Sequence, residues 1–226
     1  MVRQLLLAVS AALFASTSSA AVLVVRSSGP SAAAYPAGKA LPDSHVLKLK
    51  ASDTIVLLDS RGTRTLSGPG NFSVSASAAP AAVGRTTGAT ARRVRLGAVR
   101  GAGARSVWQA DLGRSGNICV ANPADFGLYR ASSAGAERVT ITDSAGKTAT
   151  VQFPDGQRIV SWPADMPITA GASYSVKGSG APANVTVRWI TPVPGGLEGL
   201  AQVFIRNDCQ AQLDVLIDTF ASPSAS

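Results

Sequence analysis

At 226 residues with 46% apolar side chains, the chain is long enough for one large domain or two small ones and for a core that needs no covalent staples. Its formal net charge of +8 would point to a polyanionic partner if it were spread over a folded face, but much of it is gathered in one Gly/Ala/Thr-rich stretch. One His and two Cys make a poor metal-ligand set, and no segment past residue 20 approaches the ~20 unbroken apolar residues of a membrane helix.

The chain starts MVRQLLLAVSAALFASTSSA. Arg3 supplies a positive n-region, Leu5 to Phe14 an apolar run too short to span a bilayer, and Ser18 and Ala20 the small residues before a cleavage site. Residues 1–20 therefore read as a secretory signal peptide. The mature chain is expected in a periplasm or outside the cell, away from ATP, NAD and nucleic acid. Ala21 after the cleavage site offers no thiol for a lipid anchor. In that oxidising setting Cys119 and Cys209 read as one disulfide. It would close a loop of about 90 residues, worth on the order of 4 kcal/mol in the chain-entropy model.

Residues 21–76 predict a small antiparallel β module. VLVVRSS (22–28) is apolar and β-branched, and turns follow at Gly29-Pro30 and Tyr35-Pro36. HVLKLK (45–50) alternates, and TIVLLD (54–59) has the apolar run of a buried-type strand. Arg61-Gly62 turns the chain into TRTL (63–66), Gly68-Pro69-Gly70 breaks it, and NFSV (71–74) is a last short strand. Residues 77–105 read as an Ala/Gly/Arg-rich linker. They hold Arg85, Arg92, Arg93, Arg95, Arg100 and Arg105, and VRLGAV (94–99) is the one stretch there that would dock as a strand. No aromatic separates these arginines, so the stacking platform of a single-strand binder is missing and no nucleic-acid partner is expected. Arg92, Arg93 and Arg95 remain candidates for contact with an anionic lipid or cell-wall polymer.

From Val107 the pattern becomes a series of short strands divided by Gly, Asn, Asp and Pro every 8–12 residues, the cadence of a sandwich or barrel. The clearest hairpin is RVTITDSAGKTATVQF, with Val139, Ile141, Val151 and Phe153 on one face. ANVTVRWI (183–190) puts Val185, Val187 and Trp189 opposite Thr186 and Arg188. Residues 106–194 thus predict a β-sandwich. After Pro194-Gly195-Gly196, Leu197, Leu200, Ala201 and Phe204 fall at helical spacing, as do Leu213, Leu216, Ile217 and Phe220. Residues 195–220 predict a helical hairpin lying on the β domain, with Cys119 clamping it, and 221–226 a frayed tail.

Enzyme constellations are thin. His45 is the lone imidazole, and Asp43 and Ser44 beside it alternate faces along a strand, so the three do not make a triad. Asp111, Asp125, Asp143, Asp155 and Asp165 each sit at a turn, where local hydrogen bonding explains them. No phosphate loop, dinucleotide fingerprint or zinc motif is present, and no cofactor is expected. Trp108, Trp162, Trp189, Tyr129 and Tyr174 are either core or a stacking platform for sugar or peptide. Trp162 and Tyr174, both beside Pro/Gly turns, are the candidate ligand-binding pair.

Within 21–76, Gly38-Lys39-Ala40-Leu41, the turn Asp59-Ser60-Arg61-Gly62 and Gly68-Pro69-Gly70 follow one another between strands. In this the segment resembles the FecR-type periplasmic β domain. That resemblance implies a role in relaying signals across the envelope, which FecR proteins do through a membrane span and a cytoplasmic tail. The remainder, with Trp108, Cys119, Arg130, Trp162 and the helical pair, resembles a type of secreted alphaproteobacterial protein, a resemblance that implies no activity. The expectation is a mainly β chain: a FecR-like β module, a linker, an antiparallel β-sandwich and a C-terminal helical hairpin. Its expected function is non-enzymatic. It would bind another cell-envelope protein or a cell-wall polymer, in sensing or scaffolding, with glycan or peptidoglycan binding as the alternative.

Overall fold

The structure is a computed structural model and describes residues 21–75 and 105–221. The expected leader of residues 1–20, Arg92, Arg93 and Arg95 with most of the stretch around them, the expected strand of 94–99, and the residues past Ala221 lie outside the described residues.

The chain is mainly β with two C-terminal helices. Its first unit holds β1 (Ala21–Ser28), β2 (Ala40–Pro42), β3 (Val46–Leu49), β4 (Thr54–Asp59), β5 (Gly62–Ser67) and β6 (Gly70–Ser73). An antiparallel sheet runs β2-β1-β4-β5, and β3 pairs with β6 in a separate two-stranded ladder. Because side chains alternate along a strand, β1 and β4 serve two cores. Val22, Val24, Ile55 and Leu57 meet Leu41, Leu47, Leu49 and Val74 on one side. Leu23, Val25, Val56 and Leu58 face the other. Burial on both faces is why VLVV and IVLL carry no polar alternation. Asp53 ties this unit's loops together. One carboxylate oxygen accepts from Ser31 N–H (2.9 Å) and the other from Lys50 N–H (2.5 Å).

The second unit holds β7 (Gln109–Asp111), β8 (Gly116–Val120), one 3-10 turn (Pro123–Asp125), β9 (Gly127–Tyr129), β10 (Glu137–Asp143), β11 (Thr148–Phe153), β12 (Ile159–Ser161), β13 (Ser173–Lys177) and β14 (Ala183–Trp189). A five-stranded sheet, β11-β10-β13-β14-β8, faces a three-stranded one, β12-β9-β7. Between them lie Ile118, Val120, Val139, Ile141, Phe153, Val185 and Val187 from the large sheet and Ala110 and Leu128 from the small one. The predicted hairpin forms as β10 and β11, with Val139 opposite Val151 and Ile141 opposite Ala149. Two pairings depart from the antiparallel expectation: β8 lies parallel to β14, and β7 parallel to β9. Parallel partners have no tight turn between them, so local sequence carries no mark of the pairing.

The helices α1 (Gly196–Arg206) and α2 (Gln210–Thr219) form the expected hairpin, but its setting differs. It lies between the two units rather than on the second alone. Helix α1 packs on β1 and β4, and α2 on β8, β7 and β5. Leu200, Ala201, Phe204, Leu213, Leu216 and Ile217 share one core with Leu23, Val25, Val56 and Leu58 from the first unit and Cys119 and Ile190 from the second. Fully burying each large side chain contributes roughly 1.5–3 kcal/mol, so this shared layer is a large part of the fold's stability.

Two contacts fix α2. At the second unit, Cys119 and Cys209 form the disulfide, with Cα atoms 5.8 Å apart. One turn along α2, the Gln212 amide binds the backbone of the same strand residue. It accepts from Cys119 N–H (2.6 Å) and donates to Cys119 C=O (2.7 Å) and Val107 C=O (2.5 Å). At the first unit, Thr63 N–H donates to Phe220 C=O (2.8 Å) and Thr63 Oγ1 to Ile217 C=O (2.9 Å). Gly62 allows that approach: its φ is +128°, and a Cβ there would lie 2.4 Å from the Phe220 oxygen.

Three outcomes test this description. Gln212→Leu leaves the buried Cys119 N–H and two carbonyls without partners and is expected to cost about 3 kcal/mol in oxidised protein, read by denaturant unfolding. Gly62→Ala is expected to cost about 1–3 kcal/mol and to speed amide exchange at Thr63, because both backbone strain and the Phe220 contact oppose it. The third concerns acid. Burial pushes the Asp53 carboxyl up, but hydrogen bonds from Ser31 and Lys50, with the Lys50 charge, outweigh it and hold the group below its ordinary value. A lowered folded pKa gives stability that is present above the unfolded value, near pH 4, and is lost as pH falls through the folded one. Tm is therefore expected to fall below about pH 4, and to fall less steeply in Asp53→Asn, measured by thermal unfolding across pH.

Candidate functional site

The small sheet β12-β9-β7 has one face on the sandwich core and one face turned away from it. Ala110, Leu128 and Val160 point inward. The outward row is Gln109, Gly127 and Ser161, which sit side by side across the three strands. Gly127 on the central strand has no side chain, and a Cβ there would meet the Val160 carbonyl oxygen at 2.8 Å. Bare backbone between Gln109 and Ser161 makes a furrow, the floor of an open groove of about 1000 Å³.

The walls come from three loops. Trp108, just before β7, leaves one edge toward the groove while its ring meets Phe204 of α1 edge-on, with centroids 6.4 Å apart. The loop after β8 brings Asn122 and Asp125, while the Phe126 ring beside them turns into the sandwich core. Asn122 caps the 3-10 turn at Ala124 N–H (3.1 Å) and donates to Asp125 Oδ2 (2.7 Å). Gln157 before β12 and Ile159 at its start line the far side, as does Val193, which is 42% exposed.

Arg130 positions the Gln157 wall. Only 5% exposed, it extends from the end of β9 over the Phe153 ring, 5.1 Å from its centroid. Its Nε donates to Gln157 C=O (2.8 Å), and one terminal nitrogen donates to Gly135 C=O (2.8 Å) and Pro154 C=O (2.9 Å). The other faces Glu137 Oε2 at 3.4 Å. The Glu137 carboxyl is held below its ordinary value, first by the Ser179 N–H (2.7 Å) and Oγ (2.8 Å), and then by Arg130. The planar guanidinium thus fastens the 131–137 and 154–158 loops to one point, a role that needs its fixed fork of donors.

The candidate ligand pair of the sequence stands elsewhere. Trp162 is 8% exposed, and its Nε1–H donates to Met166 C=O (2.6 Å). Tyr174 is 3% exposed, its hydroxyl donating to Pro167 C=O (2.7 Å) and accepting from Thr169 N–H (3.1 Å). The two rings pack edge to face, 5.3 Å between centroids, inside the sandwich core. This corrects their reading as a stacking platform: in a chain this poor in aromatics, large rings with satisfied polar ends fill the core. The groove is lined instead by Trp108, one of the rings the sequence left open between core and platform, and by Gln109 and Gln157, which the sequence did not single out. The one signal was Gly127 between Phe126 and Leu128, a strand glycine that marks close backbone approach. Arg92, Arg93 and Arg95 lie outside the described residues.

His45 is half-buried on the first unit, edge-on to Tyr35 at 6.0 Å and remote from the groove's lining. Among the described residues, no cluster of three or more His, Cys, Asp or Glu could hold a metal ion, and no helix is long and apolar enough to cross a membrane. Comparison of the chain with family models, with curated proteins and with solved structures finds no match.

Chemically, the groove offers an indole edge, several neutral side-chain donors and acceptors, and one carboxylate, Asp125, among the described lining residues. A carboxylate pair acting across a bond would need a second. The wall itself is testable: Arg130→Lys strands carbonyls of both loops and is expected to cost about 2 kcal/mol. Solution NMR should show the resulting shifts concentrated in 131–137 and 154–158.

Proposed function

We propose that this chain is a non-enzymatic protein of the periplasm or cell exterior that binds another cell-envelope component, in sensing or scaffolding, through the groove on the small sheet. The observation that carries the reading is the groove's construction. It is an open concavity, apolar at Trp108 and Val193 and polar at Gln109, Asn122 and Gln157, and it sits on a sheet floor. A pre-formed concave surface with a few fixed polar groups is the usual form of a binding site. The disulfide fits an oxidising compartment. The FecR-type likeness of residues 21–76 belongs to the same proposal. In this chain the Asp59-Ser60-Arg61-Gly62 turn receives the end of α2, so that unit would act as a support for the hairpin and, through Trp108 and Phe204, for the groove's lip.

The test is site-specific photo-crosslinking in living cells. A photoreactive residue at Ser161, exposed on the floor, is expected to give a discrete adduct, and one at Lys177, exposed on β13, is not. No adduct at Ser161, or the same adducts from both positions, would overturn the reading.

A further inference from the structure

We propose that the groove is a saccharide site whose ligand is an uncharged oligosaccharide segment; this deepens, and rests on, the groove-binding reading above.

Shape is the first argument. Gln109, Gly127 and Ser161 form one cross-strand row, so the furrow is two strand spacings wide, roughly 10 Å. It is open along its length and, at about 1000 Å³, lies at the upper end of the range for small-molecule pockets. That form admits a few linked rings lying through it better than one enclosed ring.

Lining chemistry is the second. A sugar ring presents an apolar C–H face and a rim of hydroxyls, each both donor and acceptor. Trp108 supplies an apolar ring at the lip, held edge-on by Phe204. The Gln157 amide carries a donor and an acceptor end, and the Gln109 amide keeps its NH2 donors while its oxygen accepts from Ser106 N–H at 2.9 Å. Asn122, bonded at both ends, keeps one N–H beyond those bonds, and the set matches neighbouring hydroxyls. Asp125 accepts only, and it already takes one bond from Asn122 Nδ2, which fixes its second oxygen's direction.

Charge and floor geometry are the third. Although the chain carries +8, the one ionised group among the described lining residues is an anion, Asp125. Arg105, the cation over Tyr129 on the same sheet face, is already paired with Asp111 at 2.6 Å. Among the described residues an anionic polymer would therefore meet the Asp125 charge with no unpaired cation in the lining to offset it. A peptide that binds by strand addition pairs its backbone with a sheet edge, whereas this floor is a sheet face centred on β9, which is already bonded on both sides.

The test uses the full oxidised chain with tetramers of β-1,4-N-acetylglucosamine, β-1,4-glucose and α-1,4-glucose, beside a sulfated oligosaccharide and an extended uncharged hexapeptide. At least one neutral tetramer is expected to bind at about 1 mM or tighter by calorimetry. It should move the Trp108 indole N–H signal while that of buried Trp162 stays in place. Gln157→Ala is expected to weaken binding about tenfold. Ser161→Arg, which fills the exposed floor without touching the core, should abolish it at unchanged Tm. No binding by any neutral tetramer, or binding that survives Ser161→Arg, overturns the saccharide assignment. Binding of the hexapeptide or the sulfated sugar alone, blocked by Ser161→Arg, also overturns it but leaves the groove reading standing. If the in-cell crosslink at Ser161 fails as well, both fall together.

Discussion

Strand β8 is the last strand of its sheet, and the outward N–H and C=O of Cys119 are buried where no further strand follows. Unpaired, each would cost on the order of 1–3 kcal/mol. The Gln212 amide closes that edge as a one-residue substitute for a strand, accepting the N–H and donating to the C=O. Cys209, one turn earlier on the same helix, adds the covalent bond to the same strand residue. Helix α2 therefore has one allowed position on the second unit, and its short connection through Asn207 and Asp208 sets α1 in turn.

The rest of the molecule follows from that placement. With the hairpin fixed on β8, its remaining apolar surface needs a cover, and the second face of β1 and β4 supplies it. Asp214 on α2 lies between Arg26 of the first unit and Arg114 of the second, an ionic link across the same seam. These pairs are partly exposed and contribute little to stability beside the apolar layer. They add orientation, as does the Gln202 bond to Gly38 C=O at 2.9 Å. The groove depends on the same seam. The third Gln212 bond goes to Val107 C=O, next to Trp108, whose ring rests on Phe204 of α1. The lip of the candidate site is thus built on the hairpin, while its floor belongs to the sandwich.

Much of this was legible in the chain, for reasons that differ by element. TIVLLD announced a buried strand, and the structure shows that it is covered on both faces. The 3.6-residue stripes of Leu200/Phe204 and Leu213/Leu216/Ile217 located both helices, and an even pair of Cys located their bond. What lay beyond reach was non-local. Parallel pairing of β8 with β14 joins segments far apart in sequence without a turn to mark it. Gln212 looks like a surface residue until Cys119 is placed opposite it. The strand Ala40–Pro42 carried no signal, because three residues have no period to detect. Trp162 and Tyr174 drew attention as rings beside turns, but turn proximity does not report which way a ring points. The groove's own signal is an absent side chain at Gly127, which gains meaning only when Gln109 and Ser161 flank it.

The central claim is that the hairpin makes the two β units one cooperative body. Native-state hydrogen exchange across a denaturant series measures this most directly, since it gives each strand its own opening free energy. The account predicts that slow amides of β1 and β4 and those of β10 and β14 converge on a single global opening. Convergence of β1 and β4 on a separate opening of lower free energy, with β10 and β14 still protected, would contradict it.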